Sequence, residues 1–466
     1  MFVKFAYKII ETNMEWKKLL SKRLLGFAEE TSSDGRSQFQ KDFDRIVFSS
    51  AFRRLQDKTQ VFPLPESDYV HTRLTHSLEV SCVGRSLGNA VGEKILERNK
   101  KLKDEFTQFH FGEIVASACL GHDIGNPPFG HSGEDAISEY FRNGAGKIYK
   151  SRLSKKQWAD LTKFEGNAQG FRIITKLQNP TIKGGLRLSC ATLAAFTKYP
   201  KESLIETSSK ANSHKEKLYK KYGFFQAEKE LFNDVAEETG LPKKPGYKNS
   251  LFWCRHPLSF LVEAADDICY RIMDLEDGFR LGLLSFNDTE ELLMPLKGSV
   301  SLNLYNARNE NDRIGYLRAK VISKLVNTLS TVFIDEENNI MSGKLDKDLI
   351  SLLPTAELLE EIKRISAEKI YSIKSVVERE AAGFEVLGGL LDTFINAVNE
   401  SAEDRISPKN KTIIKLIPKQ FLSDDGRPDK DIYTRLLKIN DLVSGMTDSY
   451  AVSIYRKIKG ISLPNR

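Results

Sequence analysis

Apolar residues recur at three- and four-residue intervals over most of the chain. The runs 77–97, 111–121, 166–178, 257–284, 314–334, 355–381 and 431–446 carry this period and predict helices. Alternating, strand-like runs are few and short, so the pattern predicts an all-α fold. Two stretches interrupt it. Residues 201–250 are rich in Lys, Ser and Glu and end in GLPKKPGYKNS, which reads as a polar insertion with some helix. Within 285–312 an apolar segment gives way to polar LYNARNENDR, a second break. Residues 336–348, EENNIMSGKLDKD, read as a turn or short hairpin between helices. The partition that follows is an N-terminal segment 1–40, a core 41–300 carrying the insertion, and a C-terminal helical region 301–466.

Composition narrows this only slightly. With 466 residues, 40% of them hydrophobic, the chain can build a large core. Seventy basic against 63 acidic residues leave a net charge of +7, a mild excess that suits an anionic ligand rather than a basic tail. The five cysteines are scattered, odd in number and without a CxxC pair, which argues against a disulfide framework or zinc knuckle and for a reducing cytoplasm. The start, MFVKFAYKIIETNMEWKK, lacks the long apolar region of a leader, and no run is expected to span a bilayer.

The chemistry concentrates in CLGHDIGNPPFGHSGED, residues 119–135. The small apolar residues before it predict a buried helix. A buried helix ending in His122-Asp123 is costly unless the pair is neutralised or holds a cation. Imidazole with carboxylate suits several divalent ions. His76 shares a helical face with Val80, Val83 and Leu87, so it points to the core side. In LVEAADDICYRIMDLEDG, 261–278, Asp266, Tyr270 and Asp274 recur every four residues, and a drift of about 40° per step keeps them on one stripe. His131 and Glu134 begin a second helix, with Ser132 as its candidate N-cap and Glu134 in its first turn. Two prolines and two glycines fix the loop between the two pairs.

Taken together, these residues resemble a known family. His76, His122-Asp123 and Asp266 match the metal signature of the HD-domain phosphohydrolases. FRRLQDKTQVFPL (52–64), RLTHSLEV (73–80), GHDIGNPPFGHSGE (121–134), FEGNAQGFR (164–172), TKYP (197–200) and EAADDICYRIMDLEDG (263–278) resemble its dGTPase branch over roughly 35–285. The resemblance implies an all-α HD core with an additional helical C-terminal region. The implied reaction converts dGTP, or other dNTPs, to the deoxynucleoside and intact triphosphate. It implies one divalent ion, Mn²⁺ or Mg²⁺ first, with Co²⁺, Zn²⁺ and Fe²⁺ also suited, bound by His76, His122, Asp123 and Asp266. His131 and Glu134 match the catalytic pair. Arg73 matches an α-phosphate contact, Gln60 a contact near the sugar and Val61 a wall of the nucleoside pocket. Lys198, Tyr199 and Lys221 match phosphate contacts, and Tyr270 with Asp274 the readers of the sugar 3′-hydroxyl. The family also implies a homo-oligomer, hexamers included, and a contact with single-stranded DNA.

Elementary chemistry supports parts of this. Arg73 stands one turn before His76, where a guanidinium meets the phosphate that a metal binds. His131 is either an in-line group oriented by Glu134, or Glu134 itself polarises the attacking water; the sequence leaves both open. Asn167, Gln169 and Arg172 read as polar ties between helices. Two other readings stand beside the first. One is a broad dNTP triphosphohydrolase or another HD-domain nucleotide phosphohydrolase. The other is a nucleotide sensor or single-strand-binding protein with a degenerate site.

Overall fold

The computed structural model describes residues 13–27, 35–60, 71–205, 221–245, 247, 250–299 and 301–462. Among them helices carry the fold, and extended pairing is confined to isolated bridges such as Thr59 with Thr72. The all-α expectation is met.

The core begins with α1, Arg73–Arg98, packed along α2, Gln108–Gly121. Thr72 caps α1 by accepting from the Thr75 N–H. From Phe111 to Gly121 nearly every residue of α2 is buried, as its all-round apolar composition requires. Gly88 lets the two backbones approach: a Cβ there would lie 2.8 Å from the Gly112 Cα. Helix α3, Gly130–Arg142, follows the GNPPFG loop. Helix α4, Pro257–Arg280, crosses α1 and α2, and α5, Glu310–Asp335, backs α1 and α4.

The expected helix 355–381 divides in two, Ala356–Lys369 and then α6, Lys374–Ala402. Helix α7 is Ile432–Ser444 and α8 is Asp448–Ile458. Residues 336–348, expected as a turn or short hairpin, open with a short helix, Glu337–Met341, and turn at Ser342-Gly343. Unlike the sequence expectation, α6 is long and apolar enough to cross a membrane by length and composition; 56% of its apolar window is buried within this protein.

Two apolar clusters form. One centres on α1, α2, α4 and α5. The other joins α3 and its neighbours Tyr149, Leu161 and Phe164 to α6, α7 and α8. Between them runs a buried polar tie. Arg172 donates to both oxygens of Asp441 on α7 and pairs with Glu228, while Gln169 donates to Asp441 at 3.0 Å. The sequence reading expected these groups to tie the active-site helices to one another; Gln169 and Arg172 instead tie to α7 of the C-terminal region and to Glu228, and Asn167 bonds the nearby Glu165.

Candidate active site

Three helices bring the predicted metal residues together. His76 comes from the second turn of α1, His122 and Asp123 from the end of α2, and Asp266 from the middle of α4. Ligand atoms of His76, His122 and Asp123 all lie within 4.8 Å of one another. Asp266 Oδ1 reaches into the same space, 3.3 Å from His76 Nε2 and 3.4 Å from His122 Nε2. His122 Nε2 is 3.5 Å from Asp123 Oδ1. These separations are long for hydrogen bonds between charged groups. They match the ~3.0–3.4 Å between adjacent donors around an ion that binds each at about 2.1 Å.

The tautomer also fits. His122 Nδ1 is 2.6 Å from the Cys119 carbonyl, which can only accept, so Nδ1 carries a proton and Nε2 is the nitrogen turned to the cluster, the one that would offer its lone pair to a bound cation. Two histidines and two carboxylates in a buried pocket are a donor set for a divalent cation.

The charges are mutually balanced. Burial alone would raise the Asp123 carboxyl, but His122 and Arg73 hold it well below the usual carboxylate range. Asp266 is likewise held low against burial, chiefly by Lys198 and His122. Arg73 Nη1 donates to Asp123 Oδ2 at 2.7 Å, and Lys198 Nζ donates to Asp266 Oδ2 at 2.9 Å. Two of the four predicted phosphate contacts, Arg73 and Lys198, thus already touch a predicted metal ligand. Lys221 extends this cationic side, with its Nζ 5.8 Å from the centre of the Tyr199 ring.

His131 and Glu134 sit on α3 beside this cluster. The helix starts earlier than expected: its N-cap is Phe129 in a left-handed conformation, and Gly130 is the first helical residue. Ser132 is therefore not the cap, His131 lies in the first turn, and Glu134 follows that turn. His131 is open to solvent, yet packing around it, Lys221 and Arg73 push its imidazole down to about 4. Glu134 moves the other way, to about 8, through burial and the nearby Glu165. Its Oε1 accepts from the Gly166 N–H at 2.6 Å. A Cβ on Gly166 would lie 2.8 Å from that oxygen, so glycine permits the approach. Opposite shifts in neighbouring groups are a signature of acid–base assignment.

Tyr270 and Asp274 lie on the same stripe of α4 as Asp266. Asp274 is buried, and burial pushes its carboxyl up to about 8. The sequence reading missed its partner, Tyr371, which follows the Ala356–Lys369 helix. The Tyr371 hydroxyl donates to Asp274 Oδ2, and its ring lies 5.6 Å from that of Tyr270. No local motif marks Tyr371, because only packing brings it to α4. Asn126 was also missed; its Nδ2 donates to Asp123 Oδ1 at 2.6 Å. Gln60 Oε1 is buried, without a hydrogen-bond partner among the described residues. Val61 lies outside the described residues.

Comparison with known proteins agrees with this arrangement. Residues 73–174 match the HD domain model, and residues 353–457 match a phosphohydrolase-associated domain. A deoxyguanosinetriphosphate triphosphohydrolase-like protein of Synechocystis is 46% identical over 97% of this chain and 100% of its own length. One from Pseudomonas aeruginosa strain LESB58 is 40% identical over 97% of this chain and its full length. A deoxyguanosinetriphosphate triphosphohydrolase of Klebsiella pneumoniae is 31% identical over 93% of this chain and 95% of its own.

Proposed function

The chain belongs to the deoxyguanosinetriphosphate triphosphohydrolase-like family of HD-domain phosphohydrolases, and from that premise we propose that it hydrolyses dGTP to deoxyguanosine and inorganic triphosphate. The observation that carries the reading is the buried cluster of His76, His122, Asp123 and Asp266 with Arg73 and Lys198 bonded to its carboxylates. A divalent ion held by these four side chains supplies Lewis acidity toward a phosphoryl oxygen and toward water; Mn²⁺ and Mg²⁺ suit the mixed nitrogen and oxygen donors. The substrate brings about four negative charges. Arg73, Lys198, Lys221 and the Tyr199 hydroxyl meet them, and Arg73 offers planar two-point contact with the α-phosphate.

Hydrolysis breaks the bond between the α-phosphorus and the 5′-oxygen. Water adds its oxygen to phosphorus and gives up a proton, and the leaving 5′-oxygen takes one. In the free protein, packing around His131, and then the facing Lys221 and Arg73, lower its imidazole pKa and favour the neutral form. The triphosphate neutralises those cations and raises the imidazole pKa, so His131 takes up a proton only with substrate in place and carries it to the 5′-oxygen. Glu134, the second member of the pair, is anchored by accepting from the Gly166 N–H. Asp274 and Tyr270 read the 3′-hydroxyl, and Gln60 faces the sugar. A buried carboxyl built to bond a hydroxyl loses much when that hydroxyl is missing.

The test is product analysis. Purified protein with Mn²⁺ is given each of the four dNTPs, a mixture of them, and GTP, and products are resolved by ion exchange. Deoxyguanosine plus intact triphosphate from dGTP, abolished by His122→Ala, supports the proposal. Equal turnover of all four dNTPs keeps the chemistry and replaces the dGTP preference with broad specificity. Release of single phosphates, or no turnover even with the mixture, overturns it.

A further inference from the structure

Residues 122–130 connect the His122-Asp123 pair to the helix that carries His131. This loop is held at two points by groups from elsewhere in the chain. Phe129 has φ 65°, a conformation that side-chain-bearing residues rarely adopt. Its N–H donates to Asp448 Oδ1 at 3.1 Å. Its ring is seated in the second apolar cluster against Gly383 of α6, where a Cβ would come within 3.0 Å of the ring. Midway along it, Lys58 Nζ donates to the Asn126 carbonyl at 2.5 Å and to the Ser444 carbonyl at 3.0 Å, and Asn126 in turn bonds Asp123.

Asp448 is the first residue of α8 and is buried. An acid there ordinarily serves its own helix end. Here that service comes from Thr447, whose side chain accepts from the Tyr450 N–H. The hydrogen bonds of the Asp448 carboxylate run instead to other segments. Oδ1 takes the Phe129 N–H; Oδ2 takes the Thr59 N–H at 3.2 Å and the Thr59 hydroxyl at 2.8 Å. Thr59 directly precedes Gln60. One carboxylate from the C-terminal region therefore fixes the start of α3 and the segment leading into Gln60.

We propose that Asp448 is a positioning residue: it sets His131 against the metal-binding side chains, with Lys58 holding the middle of the same loop. This rests on the role given to His131 above. The two points act on different quantities. Loss of Asp448 frees the Phe129 end and moves His131, so it acts on turnover. Loss of Lys58 frees Asn126, the hydrogen-bond partner of Asp123, so it acts on metal binding. Displacement of a reacting group by about 1 Å costs up to about 100-fold in rate.

The experiment compares Asp448→Asn, Gly383→Ala and Lys58→Met in the full chain. Gly383→Ala crowds the Phe129 ring without touching Asp448, and it serves if Asp448→Asn fails to fold. Three quantities are measured: amide exchange of residues 123–131 in metal-free protein, Mn²⁺ affinity by electron paramagnetic resonance of the free ion, and kcat and KM for dGTP. Asp448→Asn and Gly383→Ala are expected to speed exchange in this loop alone, to lower kcat about 10- to 100-fold, and to leave Mn²⁺ affinity and KM within about twofold. Lys58→Met is expected to weaken Mn²⁺ binding by about tenfold. Unchanged loop exchange in Asp448→Asn, or faster exchange with unchanged kcat, overturns the proposal. A parallel loss of Mn²⁺ affinity and of protection throughout the core also overturns it, because that is the signature of a general stabiliser. If the parent protein turns over no dNTP, the proposed function fails by itself, and the exchange and Mn²⁺ measurements still decide whether the loop is clamped.

Discussion

Replacing Arg172 should destabilise this protein more than replacing its partner Asp441, and the structure supplies the size of each effect. Arg172 is almost wholly buried, faces two carboxylates, and bonds Asp441 through both Nε and Nη2. Arg172→Met leaves Asp441 and Glu228 buried beside each other without a cation. Breaking a buried pair in this way costs about 3–5 kcal/mol. Asp441→Asn leaves Arg172 matched by Glu228 and retains an oxygen to accept from Gln169. It loses one charge-assisted contact, worth about 1.5–3 kcal/mol. Unfolding entropy of roughly 2.1 cal/mol/K per residue over 466 residues gives about 1 kcal/mol/K. Arg172→Met should then lower Tm by about 3–5 °C and Asp441→Asn by about 1.5–3 °C. A pH series adds a sign. Burial raises the Glu228 carboxyl and Arg172 opposes this. Without Arg172 its folded pKa rises further above the unfolded value, so the folded protein gains a proton on acidification. The deficit of Arg172→Met should therefore shrink as pH falls from neutral toward 5. Differential scanning calorimetry at pH 5, 6 and 7.5 measures this. A larger loss for Asp441→Asn than for Arg172→Met, or a deficit that grows on acidification, would refute the reasoning.

Other outcomes follow from the same geometry. With Glu134 raised to about 8, its folded pKa lies above the unfolded one. Its contribution to stability is full below the unfolded carboxylate pKa and lost as pH rises through about 8, so Glu134→Gln should flatten the alkaline decline of Tm. With the His131 imidazole held down to about 4 in the free enzyme and its proposed role requiring the protonated form, kcat/KM at saturating Mn²⁺ should not fall as pH drops from about 7 toward 5; a fall over that range would contradict the acid role. Asp274→Asn should cut kcat/KM for dGTP by about 10²- to 10⁴-fold, far more than for a 3′-deoxy analogue; equal losses on both would remove Asp274 from sugar recognition. Tyr371→Phe should cause a smaller loss in the same direction. Saturating Mn²⁺ at 100 times its Kd should raise stability by about 2.7 kcal/mol, an effect that His122→Ala abolishes in a thermal-shift titration.

Much of this protein could be read from its residues in order. A small, wholly apolar helix ending in His-Asp, and carboxylates every four residues on another, are local patterns governed by the 3.6-residue period. They single out His122-Asp123 and the Asp266 stripe as candidates, the resemblance to the HD family adds His76 and the metal-binding role, and helical periodicity found most of the long helices. What the sequence could not supply was set by contacts between residues far apart along it. The start of α3 moved from Ser132 to Phe129 because a ring seated in a C-terminal cluster and an N–H bonded to Asp448 hold a backbone angle that propensity disfavours. Tyr371 meets Asp274 across 97 positions and Arg172 meets Asp441 across 269. The opposite shifts of His131 and Glu134 arise from cations and carboxylates on other elements. Local periodicity fixes which faces are apolar and which chemistry they carry. The distances between those faces, and the charge each group holds, exist only once the helices have packed, because Coulombic and desolvation energies depend on three-dimensional separation and not on order along the chain.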